Sequence, residues 1–204
     1  MKNVMLSRQP IRTLSFALMA LLFAGCSSPP VPTDTFYNLT AGRGAISAST
    51  PSLGGTVEVP RFRAEGVVNG RAIVYRSSAT EQRQYNYHYW AEPPVVMFQR
   101  SFIDVLRSAR VFDTVAGPEM RTDRDYELIG TLRRLEHVTG GGPSKVIVEV
   151  DIALRHVRGG ETLLIKTYSK ERSAGSAVAS AVEAISVTLD QVIAEVVRDI
   201  AAAS

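Results

Sequence analysis

The stretch DYELIGTLRRLEHVTGGGPSKVIVEVDIAL, residues 125–154, decides the fold of this chain. Leu128 and Leu132 alternate with polar side chains in its first half, and every second residue from 146 to 154 is aliphatic. An alternation with a period of two is typical of strands that bury one face. The glycine-rich segment 140–143 joins the two halves, so the stretch is predicted to be a β-hairpin.

A third strand is predicted directly after this hairpin. A second turn at 158–160 leads into a run that contains Leu163 and Ile165. The three runs together predict an antiparallel meander of long strands with one buried face. Polar side chains on its other face, such as Glu149 and Asp151, are expected to be solvated or to contact a neighbour.

Further strands are predicted upstream of the meander. Four short apolar-rich runs bounded by turn residues carry this prediction: Thr35–Thr40, Thr56–Pro60, Ala72–Arg76 and Gln82–Trp90. The segment 41–55, rich in glycine, serine, alanine and threonine, is predicted to be a loop between the first two.

Two amphipathic helices complete the predicted domain. Pro93 and Pro94 suit the first turn of a helix, and Glu92 suits its positive end. The apolar residues that follow recur at helical spacing: Phe98, Phe102, Val105, Leu106 and Ala109. The segment 176–203 carries a longer stripe of the same kind. The predicted fold class is therefore α+β with two layers, an antiparallel β-sheet with two amphipathic helices on one face.

The N-terminal residues have the three parts of a secretory signal peptide. Basic residues come first, the apolar run 14–23 follows, and small residues precede Cys26. This run is too short to span a bilayer as a mature helix. Residues 22–26 resemble the lipobox of bacterial lipoproteins, in which the cysteine is diacylated and becomes the new N-terminus. An ordinary signal peptide followed by an unmodified cysteine is the alternative.

The lipoprotein interpretation divides the chain into three parts. Residues 1–25 are the signal peptide, residues 26–34 are a proline-rich tether lipidated at Cys26, and residues 35–204 are the folded domain. Acyl chains on the cysteine would anchor the protein lastingly in a membrane. Ser27 follows the cysteine, which by resemblance to enterobacterial sorting rules implies the outer membrane, with the domain facing the periplasm. Retention in the inner membrane stays open.

The charge of the mature chain argues against nucleic acid as a partner. The full sequence has 23 Lys and Arg against 20 Asp and Glu, but three of the basic residues lie in the signal peptide. Removal of that peptide leaves 20 against 20, with no basic stripe to bind phosphates. Because Cys26 is the only cysteine, disulfides within the chain and cysteine-based metal sites are excluded.

No motif for catalysis, metal binding or cofactor binding is found. A Gly-x-Ser-x-Gly nucleophile turn is missing, and segment 140–143 lacks the Lys-Ser/Thr of a phosphate loop. His88, His137 and His156 lie on different predicted strands without metal-ligand spacing. The sequence therefore predicts neither an enzyme nor a cofactor or metal site.

The aromatic segment YNYHYWAEPP, residues 85–94, allows two interpretations. In a regular strand Tyr85, Tyr87 and Tyr89 share one face, and Trp90 lies on the other. One face could pack under the following helix, with Trp90 filling a corner of the core. Alternatively, the tyrosines form an exposed stripe that binds a partner. We expect Trp90 to be structural, at least two of the tyrosines to be exposed, and all three to be the partner-binding residues.

Several segments of the chain resemble the ABC-type transport auxiliary lipoproteins, a family that includes the PqiC-like lipoproteins. The matching segments are Thr35–Leu39, Val57–Pro60, Tyr89–Pro93, Asp125–Leu128 and the closing amphipathic helix. The block that contains Trp90, Glu92 and Pro93 is their most specific part. Pro94 departs from the pattern, since an aliphatic residue is expected there.

The resemblance implies a membrane-anchored partner of a transporter, without catalysis of its own. Such transporters combine an ABC permease and ATPase with an MCE-domain protein and move lipids or other apolar molecules across the Gram-negative envelope. The implied role is docking or guiding the periplasmic MCE protein, and a homo-oligomer is one form in which the chain could do so. A structural or assembly lipoprotein of outer-membrane machinery is the alternative, and an envelope hydrolase is a third class.

Overall fold

The computed structural model describes residues 31–41, 53–120 and 122–203. Residues 34–204 form one compact unit. The strands in the described ranges are β1 (Thr35–Tyr37), β2 (Thr56–Glu58), β3 (Arg63–Ala64), β4 (Ala72–Arg76), β5 (Gln82–Trp90), β6 (Thr114–Ala116), β7 (Tyr126–Val138), β8 (Lys145–His156) and β9 (Thr162–Ser173). The helices are α1 (Pro94–Ala109), α2 (Val178–Ala202) and a 3-10 turn at Gly66–Asn69.

The predicted meander is present as β7, β8 and β9. Both pairings are antiparallel, and Leu128 of β7 lies opposite Leu154 of β8. The aliphatic residues of the alternation point to one side and are fully buried, as their period of two predicts. The third strand extends to Ser173, well beyond the apolar run from which it was predicted.

The sheet is mixed, whereas the sequence predicted an antiparallel one. Strands β2, β3 and β4 each pair in parallel with β7, and β1 pairs in parallel with β5. The 13 residues of β7 offer room for three short strands along the edge opposite β8, and the chain runs along that edge in the direction of β7. The α+β class with two helices is nevertheless confirmed.

Both helices pack on the same face of the sheet, which we call the covered face. All five residues of the predicted α1 stripe are buried, and they share one hydrophobic core with α2, β7 and β8. Phe62 fills the space above Gly130 of β7 and packs against Phe98 and Phe102. A Cβ added at Gly130 would lie 2.7 Å from the Phe62 ring, so this position requires glycine.

A polar contact fixes α2 on the outermost strand, β9. The Asp199 carboxylate accepts hydrogen bonds from Tyr168 at 2.9 Å and from Lys166 at 2.7 Å. Glu195 lies 2.6 Å from the ammonium of Lys170. Burial and then the hydrogen bond to Asp199 raise the pKa of Tyr168 above its usual value. We call these five residues the β9 clasp.

Candidate partner-binding surface

The face of the sheet opposite the helices, which we call the open face, carries the residues of interest. It presents the alternate side chains of β7, β8 and β9, those that do not enter the core. Glu149 and Asp151 lie here, and the solvated or paired environment expected for them is present. The open face has three different regions, an aliphatic row, a charged centre and an aromatic edge.

The aliphatic row crosses the three long strands in register. Ile129 of β7 lies opposite Ala153 of β8, which lies opposite Ile165 of β9. Ile165 is 79% exposed and Ile129 is 36% exposed. Because alanine is small, the two isoleucines flank a depression of about 360 Å³ at the free edge of the sheet. Exposed aliphatic side chains beside a free strand edge are typical of protein contacts.

The charged centre lies beside this row and consists of Arg133 and the carboxylates around it. The Arg133 guanidinium lies 3.4 Å from Asp151 and 3.6 Å from both Glu65 and Glu149. Asp151 also accepts a hydrogen bond from Thr167 at 2.6 Å. Glu149 also lies 4.0 Å from Arg134, so two arginines and three carboxylates form one ion-pair network in this part of the open face.

Glu136 is fully buried although it lies on the helix-free face. Its carboxylate accepts hydrogen bonds from Arg76, Arg134 and Gln82, which come from three different strands. Burial alone would raise the pKa of Glu136, but the hydrogen bonds from the two arginines outweigh it and hold the pKa below its usual value. This ionised group ties β4 and β5 to β7.

The third region, the aromatic edge, consists of Phe36, Arg71 and Tyr89. The rings of Phe36 and Tyr89 lie 5.9 Å apart on the neighbouring strands β1 and β5. The guanidinium of Arg71 lies 5.4 Å from the centre of the Phe36 ring, and its Nε donates to the carbonyl of Trp90 at 3.0 Å. Phe36 is 54% exposed. An aromatic surface with a fixed cation thus occupies the edge where the domain begins.

The three tyrosines of β5 do not share one face, contrary to the prediction. Tyr87 has a backbone φ of 62°, and the pairing of β5 with β4 shifts between Ala72 and Val74. This β-bulge interrupts the alternation. Tyr85 therefore lies on the same side as His88, with their rings 6.2 Å apart, while Tyr89 packs with Phe36 on the open face. Of the three, Tyr87 is exposed and the other two are half-buried.

Tyr85 belongs to a hydrogen-bonded chain that runs into the core. Its hydroxyl lies 2.8 Å from Nδ1 of His137, and Nε2 of that histidine lies 2.8 Å from Ser144 Oγ. Burial lowers the pKa of His137, so its ring is neutral. If Tyr85 donates to Nδ1, the ring proton sits on Nε2 and is donated to Ser144. Ser144 Oγ in turn donates to the Val138 carbonyl at 3.4 Å, which leaves its oxygen to accept from Nε2. In that arrangement the histidine does not accept the serine proton, and the chain has a structural role.

The residues of the Trp-Ala-Glu-Pro block lie together at the junction of β5 and α1. Trp90 is 2% exposed and belongs to the core. Glu92 accepts two hydrogen bonds from Arg100 of α1, at 2.8 and 2.9 Å. Pro93 is the N-cap of α1, and Pro94 is in its first turn, as predicted. Trp90 thus holds the end of β5 in the core, and Glu92 and Pro93 lie at the start of the helix.

Phe36 and the aliphatic row were missed by the sequence reasoning. The run Thr35–Thr40 was predicted to be a strand, and the alternation of Phe36 with Tyr37 could have identified one of the two as exposed. Ile129 was visible as an apolar residue at a polar position of the alternation, whereas Ile165 was expected on the buried face and is 79% exposed. The alignment of the two across three strands depends on register. That register is not visible in the sequence.

The predicted lipidation site lies outside the described residues, as Cys26 precedes residue 31. In the ranges that the structure does describe, no group of three or more His, Cys, Asp or Glu residues could hold a metal ion. Neither α1 nor α2 is long and apolar enough to cross a membrane.

Comparison with known proteins identifies the fold and the family. The model of a family described as the ABC-type transport auxiliary lipoprotein component matches residues 37–197. The crystal structure of protein XCC0632 from Xanthomonas campestris is similar with a TM-score of 0.72 and 22% identity, over 80% of this chain and 92% of that one. A second crystal structure, of an uncharacterized protein, has a TM-score of 0.67 and 16% identity, over 83% and 99% of the two chains. At these identities the likeness concerns the fold alone. No curated protein matches the sequence.

Proposed function

Because the chain belongs to the ABC-type transport auxiliary lipoprotein family, we propose that it is a non-enzymatic, membrane-anchored component of an ABC/MCE-type transporter. It docks or guides the periplasmic MCE-domain protein while the transporter moves lipids or other apolar molecules across the Gram-negative envelope. The observation that carries this proposal is the family match over residues 37–197, which spans nearly all of the compact unit.

The proposed anchor is the lipidated Cys26. A lipid-bearing cysteine followed by a proline-rich tether would hold the domain at the membrane surface, and Ser27 favours the periplasmic side of the outer membrane. Intact-mass measurement of the mature protein tests this part. A mass that corresponds to an unmodified cysteine would refute the anchor.

The proposed docking region is the aliphatic row together with the free edge of β9. Ile165 offers an apolar anchor at the rim of a depression, and the ion pairs of the charged centre beside it would favour a partner with complementary polar groups. Of the three tyrosines predicted to bind the partner, Tyr87 is the one we propose for a separate contact, because it lies on β5, away from β9. Its ring is 45% exposed, whereas the Tyr85 hydroxyl is engaged with a buried histidine and Tyr89 packs on Phe36. A homo-oligomer would present several copies of this surface to one partner.

Capture from crosslinked envelopes tests the proposal. An MCE-domain protein or an ABC permease should copurify with the tagged wild-type chain, and Ile165→Asp should reduce its recovery at least several-fold. Val187→Asp is the matched control, because Val187 is an exposed valine on α2, away from the open face. Recovery of neither transporter component with the wild-type chain would refute the proposed function.

The alternative, a structural or assembly lipoprotein, predicts a different result in the same experiment. An outer-membrane barrel protein would then be enriched in place of the MCE-domain protein. A hydrolase remains a third hypothesis because Ser144 contacts His137. Labelling of Ser144 by a serine-reactive probe would support it, whereas the proton arrangement of the Tyr85, His137 and Ser144 chain predicts no labelling.

A further inference from the structure

We propose that the aromatic edge, Phe36 with Arg71 and Tyr89, rests on the lipid surface to which the protein is anchored. This inference rests on the proposed lipid anchor at Cys26, and it does not depend on the identity of the transporter partner. It assigns a role to the most exposed phenylalanine of the described domain, which the family match and the proposed docking region leave without one.

The chemistry of the aromatic edge suits a membrane interface. Phe36 projects an exposed ring from an outer strand, and Tyr89 adds an aromatic ring with a polar hydroxyl beside it. Aromatic side chains of this kind concentrate where hydrocarbon meets head groups. Arg71 is held over the Phe36 ring, and only its Nε is used by the carbonyl of Trp90. Arg71 is exposed, and its terminal nitrogens keep donors that suit lipid phosphates.

The position of the aromatic edge in the chain also favours a lipid surface as its binding partner. Ten residues separate Cys26 from Phe36, so these two residues can be at most about 35 Å apart. Phe36 belongs to the first strand after the tether, and the free edge at β9 lies five strand spacings away, or about 24 Å along the sheet. Among the exposed apolar residues of the sheet, Phe36 therefore has the shortest connection along the chain to the proposed anchor.

A protein strand is a poorer occupant of this edge. Strand β1 has three residues and lies at the limit of the sheet, so it offers too short a ladder for another strand to pair with. Its exposed side chains are aromatic and cationic, in contrast to the aliphatic row at the far edge. A lipid surface does not require backbone hydrogen bonds from the edge strand, and it can interact with both aromatic and cationic side chains.

Fluorescence quenching by brominated phospholipids tests the proposal on the mature, lipidated protein. Phe36→Trp and Ile165→Trp are compared in vesicles of phosphatidylethanolamine and phosphatidylglycerol whose acyl chains carry bromine. Both variants place tryptophan at an exposed apolar position on an outer strand, and both keep the single native Trp90 as a common background. We expect the added emission of Phe36→Trp to be quenched at least two-fold more than that of Ile165→Trp. Equal quenching of the two, or none at Phe36→Trp, would overturn the proposal.

Two further measurements separate the possible outcomes. A blue shift of Phe36→Trp that requires the MCE-domain protein, without lipid quenching, would assign the aromatic edge to a protein partner and overturn the membrane contact. Loss of transporter capture while the quenching persists would refute the proposed function and leave the membrane contact standing. Replacing Arg71 with glutamine should weaken the quenching in vesicles with phosphatidylglycerol more than in vesicles without it.

Discussion

The two outer edges of the sheet are built differently. The edge at β1 is three residues long and carries Phe36, with Arg71 and Tyr89 beside it, whereas the edge at β9 is 12 residues long and carries Ile165. The long edge is protected from indiscriminate pairing because Lys166 and Lys170 point to the covered face. This difference in length and side chains is the basis for our proposal that the short edge contacts lipid and the long edge contacts protein.

The largest expected loss of stability comes from removing the side chain that supports the short edge. Trp90 is buried directly behind Tyr89, and Trp90→Ala should lower the free energy of unfolding by about 3–5 kcal/mol because it leaves a large cavity. Urea unfolding followed by circular dichroism measures this loss. A change below about 1 kcal/mol would mean that the β5–α1 junction does not depend on this side chain.

The next effect concerns the middle of the sheet, which both edges share. Gly130→Ala would place a methyl group 2.7 Å from the Phe62 ring, and Phe62 is enclosed by Phe98 and Phe102. Overpacking of this kind costs about 1–3 kcal/mol. Gly159→Ala serves as the control in the same denaturation assay, because nothing lies within 4 Å of the Cβ it would add. Equal stability of the two variants would contradict the close packing.

Glu136 tests how the strands of the short edge are attached to the meander. Its lowered pKa means that the ionised carboxylate stabilises the fold at neutral pH, and that this stability is lost as the pH falls below about 4.5 toward the folded-state pKa. Glu136→Gln should therefore cost about 1–3 kcal/mol at pH 7. The difference from wild type should shrink as the pH is lowered from 4.5. Chemical denaturation of wild type and Glu136→Gln at pH 7 and below pH 4.5 measures this difference in stability. A difference that grows on acidification would be inconsistent with an ionised Glu136.

The β9 clasp gives a smaller effect at the long edge. Tyr168→Phe removes the hydroxyl that donates to Asp199 and should cost about 1 kcal/mol. Hydrogen exchange of the β9 amides should rise in the variant, while that of the β5 amides should stay unchanged. Faster exchange in both strands would show that the two edges are not independent.

The smallest effect on stability is expected from the exposed residues that distinguish the edges. Phe36→Ala and Ile165→Ala should each change the free energy of unfolding by no more than about 0.5 kcal/mol, because both side chains are largely in solvent. Thermal melts compare the two directly. A large loss of stability in either variant would indicate that the side chain contributes to folding. It would then weaken the proposal that the two edges bind different partners.

Much of this architecture could be predicted from local pattern. The alternation in 125–154 predicts β7 and β8 because each core residue has a polar neighbour, and the stripe 176–203 predicts α2 for the equivalent reason. The parallel pairing of β2, β3 and β4 with β7 could not be predicted, since it depends on the path of the chain and not on any single strand. The two-residue strand β3 has no pattern of its own.

The candidate surface was harder to predict than the fold. Tyr87 lies in a left-handed conformation that no glycine or asparagine at its position signals, so the expected tyrosine stripe was wrong. Glu136 and His137 are polar residues that the sequence gives no reason to bury, and they are accommodated by partners from other strands. Phe36 and Ile165 are of interest because they lie on edge strands, and the order of the strands could not be predicted from the sequence.

The pairing of the first strands has a consequence for biosynthesis. Thr35 pairs with His88, and Val57 pairs with Tyr126, so the beginning of the domain finds its partners only after much of the chain has emerged. Contacts between such distant residues form late, whereas β7, β8 and β9 can assemble from their own turns. If the chain is exported as proposed, the part of the domain next to the proposed anchor would therefore be the last to fold.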